Sequence, residues 1–506
     1  MRRINERTYE RKNDGTKKLF LSSSVLQSFR SDPRGYALIF LLVVGGITVL
    51  LISSLLQIVL SQKRLGSMRS ARTLAFHIAE AGIDYYRWHL AHAKADFTDG
   101  TGGSGPFVHA FLDRTGVRLG EFRLAITPPP VGSTLVTIAS TGVTDQFPEF
   151  TRTVRTTFAI PSLAKYSFVG NERNRFGSGT NVYGPIHVND GIRFDGVAYN
   201  LVTSEKEQYN DTDGDDCTPS KLDFGVHTCV SPADPTPPAA VPDRPDIFKV
   251  GRKFPVPKID LDGLITDLSA LRDKATADGI YLPPPSNALA YHLIFNPDDT
   301  VSTLYVTKVY APPNKCTAPA SQPGWGLWSI NSETFIKRRP LPANGVIFVE
   351  SDAWVDGQID SARVTVAAAR LGSGVPQTSY ANIIVNRSLL YTNTDGRDVI
   401  ALVAQNNVLT GLKSNTTIRI DGALVAKNGR VGRYYYSSYC GGEYVRNDIT
   451  LYGMIATNKR YGFLYTDGTG YRTRTLLYDG NLFYNPPPSF PLTADAYTLL
   501  TWEEQK

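Results

Sequence analysis

Reactive side chains are scarce in this 506-residue sequence. It holds four cysteines and seven histidines. No G-x-S-x-G, P-loop or H-E-x-x-H motif is present, which removes the commonest sequence signs of a nucleophile elbow, a phosphate cradle or a zinc protease. Among the histidines only His89 and His92 share a helical face, and with no carboxylate placed beside them they read as solvated surface. Asp352, Asp356 and Asp360 stand four apart in SDAWVDGQID, yet aspartates at turns account for that spacing as well as a polysaccharide-cleaving face would. The expectation is therefore a protein that is not an enzyme. A general basic excess is missing too. The formal net charge is +6, but residues 1–35 hold nine of the 53 Lys and Arg and only four of the 47 Asp and Glu. What remains is close to neutral, so no nucleic-acid partner is expected. Residues 1–35 also lack an apolar centre, which excludes a secretory signal peptide with a short hydrophobic core.

What is present begins at Tyr36. Tyr36–Leu60, YALIFLLVVGGITVLLISSLLQIVL, runs twenty-five residues without a charge, more than the ~20 a bilayer-crossing helix needs. Arg34 and Gly35 precede it, and Lys63 and Arg64 follow. Leu74, Ile78, Ala81, Tyr85 and Trp88 then recur at steps of four and three. This predicts one helix to about Ala93, first apolar all round and then amphipathic.

The junction Arg34-Gly35-Tyr36 and the run GYALIFLLVV resemble the cleavage region of type IV prepilins, where a basic leader ends in glycine and an aromatic residue opens a hydrophobic helix. LAFHIAEAGIDYYRWHL (Leu74–Leu90) resembles the block that follows in minor pilins of the PilX type. The resemblance implies processing by a prepilin peptidase between Gly35 and Tyr36. It also implies a single-pass anchor in a bacterial cytoplasmic membrane, with everything after Leu60 outside. The partners it implies are other pilins or pseudopilins and an inner-membrane assembly platform, and the product is a surface or periplasmic filament. Pilins usually carry glutamate as the fifth residue after the cleavage point, and here Phe40 stands there. Relatives that lack the glutamate include minor pseudopilins proposed to sit at filament tips. The resemblance thus implies a rare tip subunit that displays an extracellular domain, its ligand unspecified. The alternative is a permanently membrane-anchored surface protein with a glycan- or partner-binding domain. It explains the apolar run equally well, but not the junction or the IAEAG block.

The remaining chain reads as mainly β. After a flexible connector, DFTDGTGGSG (96–105), alternating segments at Gly120–Ile126, Thr134–Ser140 and Thr151–Ile160 predict a small antiparallel meander whose apolar face covers the helix stripe. Short runs punctuated by Gly and Asn-Asp-Gly follow in Tyr183–Gly196. Eight prolines between Pro232 and Pro257 mark a linker, Asp260–Asp278 reads as a helix, and Tyr291–Asn296 with Val301–Val309 reads as a hairpin. Apolar runs starting at Val346, Val364, Ile383, Val399, Ile418 and Ile449 suit successive coils of a β-solenoid, with Arg430–Tyr444 inserted in the last. A plain sandwich is the alternative. The expected divisions are 1–35 (leader), 36–95 (helix), 96–162 (meander), 163–200 (first solenoid-like segment), 201–345 (insertion) and 346–506 (solenoid-like domain).

Two further features bear on sites. Asp211, Asp213 and Asp215 alternate as the oxygen ligands of a calcium loop do. Asp216 stands where an EF-hand needs glycine, and Leu222 where it needs an acid, so an acidic loop without a cofactor is the favoured reading. Cys217, Cys229, Cys316 and Cys440 allow three pairings. Cys217 with Cys229 would close a short loop and leave Cys316 with Cys440, and free buried thiols are the alternative.

Overall fold

The computed structural model describes residues 33–219, 221–261 and 267–505. Residues 1–32 of the expected leader, and Leu264 and Ile265 of the expected helix, lie outside the described residues.

Helix α1 spans Pro33–His92. From Leu38 to Leu60 its large apolar side chains are exposed, and by length and composition it can cross a bilayer. From Ala71 onward one side of α1 is buried, but the stripe is not the expected one. Ala71, Ala75, Ile78, Ala79, Ile83, Tyr86 and Leu90 are buried, while Trp88 is 60% exposed and Leu74 and Tyr85 are half-buried. Small residues choose the face. A Cβ on Gly142 would stand 1.9 Å from the Ala75 carbonyl oxygen, and one on Gly82 would stand 2.2 Å from Ser140 Oγ. Helix backbone therefore lies directly on sheet backbone, a contact open only to the Ala- and Gly-bearing side of the helix.

The sheet beneath it is antiparallel, in the order β1 (Phe107–Leu112), β2 (Arg118–Thr127), β3 (Val136–Thr144), β4 (Arg152–Ala159) and then the C-terminal strand Thr498–Gln505. Phe122, Leu124, Val136, Ile138, Val154 and Phe158 form its inner face against Ile78, Ile83, Tyr86 and Leu90. Each such side chain contributes roughly 1.5–3 kcal/mol when fully removed from water. The connector at 96–105 is pinned rather than free: Tyr86 donates to the Asp96 carbonyl at 2.8 Å, and Tyr85 donates to Asp99 at 3.1 Å.

The rest of the chain is a solenoid-like stack of parallel strands in three-sided coils. On one side the order in space is Ile280–Leu282, Val346–Val349, Arg363–Ala368, Val399–Ala404, the second half of Thr417–Ala426, the second half of Val445–Thr457, Phe168–Gly170, Ile186–Val188, Val202–Ser204 and Arg252–Lys253. Chain order and stack order thus differ. The chain enters mid-stack at Phe168, builds outward to Lys253, resumes at the opposite end and returns until Ile455 pairs with Phe168. Strands within 201–345 are rungs of this same stack. The register also departs from an eighteen-residue repeat. Val364 stacks on Ile400, and Ile383 belongs to another side, where it pairs with Ala353 and Val408. All three sides point aliphatic residues inward, so evenly spaced apolar runs do not reveal which side each occupies.

The outer surface of the first side is apolar as well, with Val346, Phe348, Ala367, Ala401, Val403 and Ala423 among its members. Helix α2 (Leu268–Asp278) covers part of it through Leu268, Leu271 and Ala275; Asp267 caps its N-terminus, and Leu482 and Phe490 join the same cluster. The expected hairpin is present as Ala290–Asn296 against Thr300–Val309, extended by a third strand, Ile330–Pro340.

Candidate functional site

Three places concentrate the residues singled out by the sequence. The first is the start of α1. Gly35 and Tyr36 fall within the helix, and Phe40 lies in its exposed apolar stretch, 71% exposed. A carboxylate at position 40 would stand among Leu38, Ile39, Leu41 and Leu42, whereas phenylalanine keeps the surface uniformly apolar.

The second place is the acidic run. Its carboxylates face arginines from distant parts of the stack. Arg460 donates to both oxygens of Asp213 at 2.5 Å, and Arg175 donates to the two oxygens of Asp215 at 2.6 Å each. Arg193 donates to the Asp215 carbonyl at 2.9 Å and to Asp195 at 2.8 Å. Burial opposes ionisation of Asp213, but the hydrogen bonds and charge of Arg460 and Arg175 outweigh it and hold the carboxyl at about 2. Asp213 and Asp215 therefore fasten the loop as ion pairs, and the centre that Asp211 shares with Asp215 is the Arg193 guanidinium, 3.6 and 3.5 Å away. The same oxygen of Asp211 also stands 3.9 Å from His227.

The disulfides are the third. Cys217 bonds Cys229 with Cα atoms 5.6 Å apart, and Cys316 bonds Cys440 at 4.7 Å. The second bridge closes a small core in which Leu327, Leu409, Leu412, Tyr434 and Tyr436 pack beneath Trp325 and Trp328. Arg433 is fully buried at its edge. It donates to the Gly411 carbonyl, to Ser414 Oγ at 2.8 Å and to the carbonyls of Leu412 and Glu443 at 3.0 and 2.9 Å, and its guanidinium lies 4.9 Å from the Tyr436 ring centre.

Other sequence candidates are dispersed. His89 contacts Asp96 at 3.0 Å and His92 contacts the Trp88 carbonyl at 2.8 Å, so they share no ligand position, and His89 is partly buried rather than solvated. Asp352 accepts from Arg370 and the Asn382 amide, and Asp360 accepts from Asn393. Asp356 meets His292, whose other nitrogen meets Glu333: the distances are 3.0 and 2.6 Å, and the imidazole is 1% exposed. Sequence reasoning missed this bridge. Its one local sign is a histidine in an otherwise apolar strand, AYHLIF.

No family model matches the sequence, and no curated protein matches it. Among solved structures, the competence-associated pilin ComZ from Thermus thermophilus is similar at a TM-score of 0.28 and 14% identity, with 86% of this chain and 98% of that chain covered. A likeness of that size carries no argument, so the residues themselves must.

Proposed function

We propose that this chain is a minor pilin-like subunit, cut by a prepilin peptidase between Gly35 and Tyr36 and inserted by its apolar helix into a filament, most suitably at the tip. The observation that carries this reading is one helix with two surfaces. Its first part is exposed and uncharged over the length of a bilayer, and its second part is seated through Ala75, Ala79 and Gly82 on an antiparallel sheet. An anchor alone requires the first surface and gives no reason for the Arg34-Gly35-Tyr36 junction. Other pilins would supply the lateral partners for the apolar half, and an inner-membrane platform would supply assembly. The stack is then cargo displayed outward, with an adhesive or binding task and no catalytic one. Phe40 suits a subunit that enters first: a buried carboxylate without its partner costs several kcal/mol, and the first subunit has no earlier neighbour to provide one.

Mass measurement of the mature N-terminus in the native host tests the reading. The expected chain begins at Tyr36, and Gly35→Val blocks the cut because the scissile position admits only a small residue. A mature protein that keeps residues 1–35 would overturn the pilin reading and favour a permanent surface anchor.

A further inference from the structure

Behind the arginine-held carboxylates the same loop encloses a second polar group. Asp211 Oδ2, Asp216 Oδ2, Asp223 Oδ2 and His227 Nε2 are buried, and none has a hydrogen-bond partner. Asp211, Asp223 and His227 are 5%, 3% and 1% exposed. Buried polar atoms are nearly always satisfied, so four orphans in one neighbourhood call for an explanation.

Their partners on the far side are informative. In each carboxylate the other oxygen is held by the loop: Asp211 Oδ1 accepts from the Asp213 amide and Asp216 Oδ1 from the Thr218 amide, both at 3.1 Å, and Asp223 Oδ1 accepts from the Thr218 hydroxyl at 2.5 Å. The imidazole is oriented likewise, its Nδ1 lying 3.1 Å from the Tyr209 hydroxyl. With Nδ1–H donating to that oxygen, Nε2 presents a lone pair. It stands 3.9 Å from Asp211 Oδ2, too far for a hydrogen bond. Donor atoms of Asp216 and His227 also lie within 4.8 Å of each other and of the Cys217 and Cys229 sulfurs. One atom held and one left free is how outer partners orient metal ligands.

We propose that Asp211, Asp216, Asp223 and His227 bind one divalent cation of the zinc class, beside the Cys217–Cys229 disulfide. Charge supports the assignment. Arg193, 3.6 Å from Asp211 Oδ2, is shared with Asp195 and Asp215, so the three carboxylates keep a net negative charge that a dication would offset. An imidazole among carboxylates suits zinc or manganese better than calcium, which prefers oxygen throughout.

The test uses the full-length chain in detergent, stripped with a chelator, exposed to zinc chloride and dialysed. The expected result is one zinc retained per chain and a raised Tm. Both are lost in His227→Gln and in Asp216→Asn; Asp216 is the more exposed of the carboxylate ligands, so its variant folds if His227→Gln does not. Absence of both retained zinc and a Tm shift would overturn the proposal, leaving water or protons to settle these atoms. So would zinc held only after disulfide reduction, which would make the thiolates the ligands, or zinc held equally by both variants.

Discussion

At His292 two carboxylates meet one buried imidazole. Burial works against its charged form, but hydrogen bonds to Asp356 and Glu333 outweigh burial and raise its pKa above the ordinary histidine value. A group whose folded pKa is raised stabilises the fold fully below its unfolded pKa of ~6.5. That contribution is lost as pH rises through the folded value. Urea midpoints measured from pH 6 to 9 should therefore fall with rising pH, and His292→Gln should flatten this part of the profile. An unchanged slope would mean that the imidazole holds its proton equally in the folded and the unfolded chain over this range. The residue also shows what local pattern withholds. Asp356 sits in a segment rich in turn-like aspartates, and its use depends on a rung 64 positions earlier. Likewise, the alternation of Asp211, Asp213 and Asp215 is visible in the sequence. That Arg175 and Arg460 would take two of the three is decided by stacking, which no local spacing encodes.

Among the elements, the loop carrying Cys316 has neither helix nor strand between Val309 and Ile330, and it is tied down by its bridge. Cys316 and Cys440 are separated by 124 positions, a closure that in chain-entropy terms stabilises by up to about 4–5 kcal/mol. Cys316→Ser with Cys440→Ser should lower the urea midpoint and open the segment around Trp325 to protease, while the buried Arg433 keeps its backbone acceptors. Equal stability of the double variant and the parent would show that Tyr434, Tyr436 and Leu327 hold the loop unaided. Elements with a strong local period were legible: α1, three strands of the small sheet and the hairpin after Leu289 all follow from spacing. Two strands of that sheet were not. Phe107–Leu112 follows a glycine-rich connector, and Thr498–Gln505 lies more than 300 residues from its partner. The helix face was misplaced because aromatic residues outweigh alanine in a hydrophobic stripe, whereas close backbone contact selects alanine and glycine.

For the whole molecule, chain order against stack order is the governing fact. The coils from Phe168 to Lys253 rest on a rung, Ile455–Thr457, made nearly 300 residues later, so folding depends on distant contacts and is expected to be slow. The small sheet waits similarly for the last strand. A chain stopped after Tyr497 should show faster amide exchange in β4, with exchange in the Val346–Ala368 rungs unchanged; unaltered protection in β4 would show that the last strand adds nothing to it. The arrangement has a mechanical side. Thr498 stands opposite Ala159, so the chain leaves the small sheet for the stack, and comes back from it, at one end of two neighbouring strands. Traction along the strand axes is split between those two strands. The ladder between β3 and β4 lies across that direction, and it is loaded in shear, many bonds at once, rather than unzipped from one end.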